Sequence, residues 1–259
     1  MLKTNKLKQK LLQGETVIGT FVKSTDPAMT ELMCMSGLDF LILDNEHTAM
    51  NKETIVNLIR VTEIYDVPVI VRVRDNDTPQ ILQALDAGAY GVQVPNLRTA
   101  QDAESAIRSI YYAPKGTRGY ANTNRTAAYG LMDVKEYIRL ASENLLFVGY
   151  CETREAYENL DEILALDGLD IVFMGPSDLS QAFGVLGQVT HPLVLDAMDT
   201  IIRKTVGAGK VVGTVASDGV AAKKLAEKGV RFIVMSSDQG MAAASAKRML
   251  GEFRGVKDR

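Results

Sequence analysis

Two carboxylates, Glu152 and Asp178, stand out in the stretch 145–182, LLFVGYCETREAYENLDEILALDGLDIVFMGPSDLSQA. Each follows an apolar run, 145–148 and 171–174, and sits among small or polar residues, CET and GPSDLS. An amphipathic segment, 155–166, lies between them. The pattern predicts strand, helix, strand, with one acid just past the end of each strand. Two acids so placed, with waters and a chelating substrate, make up six oxygen ligands for Mg²⁺ or Mn²⁺. The local alternative has Asp178 capping the short helix after GPS and Glu152 pairing with Arg154 or Arg72. Either acid alone fits that alternative; both together, on neighbouring strand ends, favour the metal. The backbone N–H groups around Ser177 and Asp178 open a helix, an arrangement that binds a carboxylate or phosphate. A 2-oxo acid would then chelate the metal while its carboxylate rests on these amides.

Three further residues bear on the same chemistry. Arg72 lies in an apolar run, VIVRV, where a buried charge needs a partner. It can stabilise negative charge growing on a keto oxygen, or form an internal salt bridge to Glu46 or Glu152. His47, in DNEHTAM, is one of only two histidines and the candidate general base or acid near neutral pH. Asp86, in ALDAG, is a candidate to orient its other ring nitrogen. His191, before Pro192, reads instead as a helix start. Schiff-base chemistry needs a desolvated lysine; only Lys23 is roughly placed, and Lys210 precedes its strand at the opposite end.

These residues need a frame that brings strand ends together. Apolar runs at 17–22, 39–44, 68–73, 90–95, 145–151, 170–175, 211–216 and 231–236 are near-continuous, as expected of parallel strands covered on both faces. Helical spacing marks 3–13, 52–64, 79–87, 99–110, 133–142, 154–166, 194–207, 219–228 and 240–253. SGLDFLILD, AGAYGVQVP, DGLDIVFMG and KGVRFIVMS echo one another, each with a helix-ending glycine before a strand. Eight strands in ~250 residues predict an α/β fold, a (β/α)₈ TIM barrel, as a single domain over 1–259. An open doubly wound sheet is the alternative, but no GxGxxG follows the first strand. In a barrel the site lies at the C-terminal ends of the strands, where Glu46, His47, Arg72, Tyr150, Glu152 and Asp178 all fall.

The totals narrow the function classes. The chain has 259 residues, 46% hydrophobic, with a net charge of −3 and mixed signs throughout. That excludes a basic nucleic-acid face and gives no anionic-membrane patch. Two cysteines, far apart, imply no disulfide framework and fit a reducing cytoplasm. Neither a signal peptide nor a run of membrane-spanning length is present. The segment 111–132, YYAPKGTRGYANTNRTAAYGLM, is too long for a simple connection. Its Arg118 and Arg125 fit either a flap that closes on an anionic substrate or a solvated excursion used in subunit packing.

At these residues the chain resembles the HpcH/HpaI family of metal-dependent aldolases, in the phosphoenolpyruvate/pyruvate barrel superfamily. The likeness runs from GTFV to the last strand. It rests on LDFLILDNEH, VPVIVRVRDND, ALDAGAYGVQVPNL, YYAPKGTRG, ETREAYENLDEIL and GPSDLS with QVTHP. The resemblance implies that Glu152 and Asp178 hold a divalent metal (Mg²⁺, Mn²⁺ or Co²⁺) and that Arg72 steadies a pyruvate enolate. It also implies that His47 and Asp86 form a proton-transfer dyad, and that the amides around Ser177 and Asp178 bind the pyruvate carboxylate. A hexamer with exchanged C-terminal helices is implied too. Two departures stand out: Asn45-Glu46-His47 where the family often reads GEH, and Tyr150 where it often has glutamine. Both border the metal or the oxo acid, and bear on the acceptor.

The expected function is a class II aldolase that makes or cleaves 4-hydroxy-2-oxo acids through a pyruvate enolate and an aldehyde. The alternatives are a siderophore-pathway citrate synthase, joining oxaloacetate to an acetyl-CoA-derived enolate, and a non-catalytic oxo-acid-binding barrel. A pure binder has no need of a His–Asp dyad.

Overall fold

The eight apolar runs form eight parallel strands that pair in chain order into a closed barrel. The strands are β1 (Val17–Val22), β2 (Phe40–Asp44), β3 (Val69–Arg72), β4 (Gly91–Val94), β5 (Leu146–Cys151), β6 (Ile171–Met174), β7 (Val211–Ala216) and β8 (Phe232–Ser237). β8 closes the ring on β1, with a register shift between Gly19 and Phe21. The computed structural model describes residues 4–255; Lys3 of the expected first helix and both ends of the expected domain lie outside them.

Alternation along the strands makes two cores. Val17, Phe21, Phe40, Ile42, Ile70, Val148, Phe173 and Phe232 fill the barrel, with Phe40 stacked on Phe232 at 4.2 Å. The alternate residues, such as Val22, Leu41, Leu43, Val71, Val92 and Val172, meet the surrounding helices. Both faces of each strand are thus buried, which is why the runs are apolar throughout. The same parity aims Lys23, Asp44, Arg72 and Glu152 into the mouth of the barrel.

Among the described residues twelve α-helices surround the strands: α1 (Lys6–Leu12), α2 (Pro27–Met35), α3 (Lys52–Ile64), α4 (Thr78–Ala87), α5 (Ala100–Ile110), α6 (Val134–Asn144), α7 (Arg154–Glu158), α8 (Leu160–Leu164), α9 (Pro176–Ala182), α10 (Pro192–Gly207), α11 (Gly219–Glu227) and α12 (Asp238–Arg254). Side-chain caps start most of them: Asn51, Asp77, Thr99, Asp133 and Asp218 each accept from the first turn. Two differences from the sequence reading have local causes. The unexpected α2 begins at Pro27 with Asp26 as its cap, and its small and methionine side chains leave a weak periodic signal. The expected helix 154–166 breaks at Asn159, which ends α7 and begins α8; its side-chain amide donates to the Arg98 carbonyl at 3.1 Å. The echoing glycines Gly37, Gly88, Gly168 and Gly229 adopt φ of 86°, 116°, 110° and 101°, a left-handed turn that glycine makes without steric cost. The repeat is therefore one of turn chemistry.

The excursion 111–132 is ordered. Tyr112 and Ala127 pack with Tyr137 and Ala141 into a small core of their own, and the Tyr112 and Tyr137 hydroxyls hydrogen-bond at 2.8 Å. At the other end of the chain α12 leaves the barrel, with Met249, Leu250 and Phe253 exposed by 62, 51 and 88%. Among the described residues no helix is long and apolar enough to cross a membrane.

Candidate active site

At the C-terminal ends of β2 to β6 lies a cavity of about 450 Å³. Glu46, His47, Arg72, Asn96, Glu152 and Asp178 line it, together with Arg154, Glu155 and Gln181. Its floor is an ionic cluster built on Asp44 and Arg72, which stand side by side because β2 and β3 pair with Asp44 opposite Arg72. Arg72 Nε donates to Asp44 Oδ1 at 3.0 Å and Nη2 to Oδ2 at 2.7 Å, a two-toothed geometry that fixes the guanidinium plane. Nη1 donates to the Tyr150 hydroxyl at 3.1 Å and lies 3.1 Å from Glu46 Oε2. The Phe21 ring sits 4.5 Å below.

The protonation states follow from this packing. Burial works to discharge Arg72, but Tyr150, Asp44 and Glu46 outweigh it and hold the guanidinium above its ordinary value. For Asp44, fully buried, burial favours the acid. The Arg72 hydrogen bonds and charge, with the His47 and Glu46 backbone N–H groups, overcome that and pull the carboxyl below the usual range. Burial pushes the Tyr150 hydroxyl well up, so it stays protonated. Tyr150 reaches the cavity through Arg72 rather than by lining it. Of the two partners expected for Arg72, Glu46 is present and Glu152 is not among its bonded neighbours. Asp44 is the main one, and the signal for it lay in the matched ends of LILD and VIVR, one strand apart.

Glu152 and Asp178 come together around Gly175. A Cβ placed on Gly175 would lie 3.0 Å from Asp178 Oδ2 and 3.3 Å from Glu152 Oε2, so the missing side chain leaves a niche flanked by both carboxylates. Asp178 stands in the first turn of α9. Glu152, 8% exposed, is oriented by the Asn96 backbone N–H, which donates to Oε1 at 2.9 Å. Asn96 takes φ of 57° to do so, a left-handed conformation that asparagine tolerates better than most residues. Sequence patterns gave no hint of it. Burial, then repulsion from Asp178 and Glu46, raises the Glu152 carboxyl to about 7, against the pull of the Asn96 N–H and Arg72. Burial likewise raises Glu46. Among the described residues no group of three or more His, Cys, Asp or Glu could hold a metal by itself. Two crowded carboxylates flanking a glycine niche suit a hard cation that takes its remaining oxygens from substrate and water. In α9 the first intrahelical bond runs from Leu179 N to the Gly175 carbonyl, leaving the Ser177 and Asp178 N–H groups outside the helical ladder.

His47 is largely exposed, with Nε2 3.6 Å from Glu46 Oε2. Asp86 is not brought to it. Asp86 lies on α4, pairs with Arg118 Nη2 at 2.5 Å and lines a separate cavity between α3 and α4. Arg118 and Arg125 are placed elsewhere than a substrate flap would require. Arg118 is buried over the Tyr112 ring, and Arg125 binds Glu63 and the Ala87 carbonyl. Both therefore anchor the excursion to the barrel wall, away from Glu152 and Asp178.

The model of the HpcH/HpaI aldolase/citrate lyase family matches residues 17–245. A hydroxypyruvate/pyruvate aldolase of Pseudomonas aeruginosa is 34% identical over 254 residues, spanning 98% of this chain and 94% of that protein. The crystal structure of an HpcH/HpaI aldolase/citrate lyase family protein from Burkholderia cenocepacia J2315 superposes with a TM-score of 0.91 at 30% identity, covering 97% of this chain and 100% of that one. That of the citrate synthase SbnG gives 0.86 at 28%, covering 97% and 99%.

Proposed function

Because the chain belongs to the HpcH/HpaI aldolase/citrate lyase family, we propose that it is a class II aldolase, a carbon–carbon lyase that splits 4-hydroxy-2-oxo acids into pyruvate and an aldehyde and runs the reverse condensation. The observation that carries this reading is the Glu152–Asp178 niche opening on the same cavity as Arg72. Such a site can hold a 2-oxo acid and stabilise its enolate.

The family is typically dependent on a divalent metal, and here Glu152 and Asp178 would hold it. Bound there, it supplies Lewis-acid polarisation of the 2-oxo group. The chain's own groups do the rest. The Ser177 and Asp178 amides receive the carboxylate. His47, directly or through water, takes the proton of the 4-hydroxyl. As the C3–C4 bond breaks, its electron pair moves toward the C2 oxygen, and Arg72, kept rigid by Asp44, faces the charge that develops. The aldehyde departs, and C3 takes a proton to give pyruvate. Glu46, beside His47, is the acid placed to orient the imidazole within one chain, in place of Asp86. Residues 1–259 act as one domain in the cytoplasm. The unpacked apolar residues of α12 support a homo-oligomer, with a hexamer the form expected.

The test is aldol turnover of pyruvate and an aldehyde with Mg²⁺, Mn²⁺ or Co²⁺, before and after rigorous chelation. Full activity without metal would sink the assignment of Glu152 and Asp178. Mn²⁺ affinity is expected to fall about tenfold per pH unit below about 7, because the ion must displace the Glu152 proton. Gly175→Ala is expected to weaken Mn²⁺ binding by about 10–100-fold, since its methyl would press on both carboxylates while its φ of −99° leaves the backbone unstrained. Calorimetric titration checks both. The likeness to a citrate synthase favours a second reading, which release of free CoA from acetyl-CoA and oxaloacetate would establish.

A further inference from the structure

We propose that Gln93 is a positioning residue for Arg72: its amide, through one buried water, takes up the hydrogen of the Tyr150 hydroxyl and so turns a lone pair of that hydroxyl toward the guanidinium. The inference rests on the aldolase reading and adds a support to the group that faces the enolate.

Gln93 lies on β4 between Val92 and Val94, which face the surrounding helices. Strand parity therefore turns its side chain into the barrel. The interior it enters is filled by residues such as Ile42, Ile70, Val148 and Phe173. Gln93 is 0% exposed, and neither its Oε1 nor its Nε2 has a hydrogen-bond partner among the described residues. An amide taken out of water without hydrogen bonds is costly, and native proteins pair such groups with protein or with ordered water.

Register places this amide beneath the bond between Arg72 and Tyr150. Gln93 pairs with Arg72 of β3 on one side and with Val148 of β5 on the other, and the next inward residue on β5 is Tyr150. Alternate strands fill alternate layers of such a barrel. Gln93 of β4 therefore stands one layer further from the mouth than Arg72 of β3 and Tyr150 of β5. Arg72 Nη1 donates to the Tyr150 hydroxyl at 3.1 Å. A guanidinium has no acceptor, and a phenol has one hydrogen to give. That hydrogen must point away from Arg72, and the hydroxyl makes no other hydrogen bond among the described residues. A donor without an acceptor and an amide without partners thus occupy adjacent layers. One water answers both. It accepts from the Tyr150 O–H and from Gln93 Nε2–H, and it donates to Gln93 Oε1, three bonds in all, the usual number for a buried water.

The consequence falls on Arg72. Asp44 holds Nε and Nη2, while Tyr150 and Glu46 fix the third nitrogen. With its hydrogen held from below, the hydroxyl always offers a lone pair to Nη1. Left free to rotate, it would turn its hydrogen toward the guanidinium part of the time, and that corner of the fork would loosen. An amide that is simply unsatisfied makes the opposite forecast, because its removal would stabilise the fold.

The test is a double-mutant cycle of Gln93→Met and Tyr150→Phe, read in kcat for aldol turnover and in the urea midpoint of the metal-free protein. Methionine keeps the unbranched length of glutamine and loses the amide. Gln93→Met is expected to lower kcat about fivefold, the effect of one neutral hydrogen bond, with the KM for pyruvate little changed. Its urea midpoint is expected to fall. In the Tyr150→Phe background the same substitution is expected to leave kcat within about twofold, because the hydroxyl through which it acts is gone. The losses in urea midpoint are expected to be less than additive. A general packing defect would act alike in both backgrounds. An unchanged kcat, an equal loss in both backgrounds, or a urea midpoint that rises overturns the assignment. A crystal structure at atomic resolution reads the site without any variant: a water within hydrogen-bond distance of Tyr150 Oη and of the Gln93 amide is expected, and none there overturns it. The water and the urea cycle need no turnover, which separates the two levels. Water and coupling without aldol activity would keep the buried site and remove the aldolase reading. Activity without either would remove the role of Gln93 and leave the aldolase standing.

Discussion

Replacing Arg72 with lysine is expected to lower kcat by about 10²–10³-fold, with a far smaller change in the KM for pyruvate. Lysine keeps the charge but not the fork. One ammonium cannot reproduce the two parallel bonds to Asp44 while also reaching Tyr150 and Glu46. The donor that should face the developing enolate oxygen is then loosely aimed, and the loss appears in the chemical step. Arg72→Met is the less informative change. It leaves Asp44, fully buried, without its hydrogen-bonded counter-ion, a loss of about 3–5 kcal/mol that confounds rate with folding. Steady-state kinetics of the lysine variant, with its Tm recorded alongside, separate the two. A kcat equal to that of the unaltered enzyme would remove Arg72 from the mechanism.

Glu152→Gln is expected to abolish tight Mn²⁺ binding and, at the same time, to stabilise the metal-free protein above neutral pH. The sign follows from the shift. The Glu152 carboxyl is raised from 4.5 to about 7, chiefly by burial, so the folded protein holds this proton more tightly than the unfolded chain. That contribution is complete below about 4.5 and is lost as pH rises through 7. Above 7 the ionised carboxylate sits in its pocket at a cost of about 3 kcal/mol. Glutamine is neutral at every pH, and its carbonyl still accepts the Asn96 N–H. Metal-free Tm values for the two proteins should therefore lie close at pH 5 and diverge by several degrees by pH 8, the variant being higher. Tm values that stay parallel across that range would show that Glu152 is ionised without penalty.

The barrel was readable because each parallel strand is buried on both faces and so writes itself as a continuous apolar run. Glu152 and Asp178 were readable for a related reason: strand ends in such a barrel converge, so acids at two neighbouring ends must meet. What was not readable depends on contacts between strands or on backbone conformation. Asp44 and Arg72 are 28 residues apart and meet only through the register of β2 with β3. Asn96 matters for its φ, not its side chain. Asp86, Arg118 and Arg125 carried the residue types of a site, yet two ion pairs tie the excursion 111–132 to the barrel. No periodicity distinguishes an arginine that waits for substrate from one already paired.

The Lys23 and Ser24 N–H groups donate to the two carboxylate oxygens of Asp238, each at 2.9 Å, which has a consequence for how the chain matures on the ribosome. Asp44 and Arg72 can find each other once β3 has emerged, and Glu152 and Asp178 follow. The backbone of Lys23, near the beginning, is capped by a residue 215 positions later. The turn after β1 is therefore fastened last, in the same event that joins β8 to β1. The rim beside β1 is in this sense a property of the finished ring, fastened at the start of its final helix.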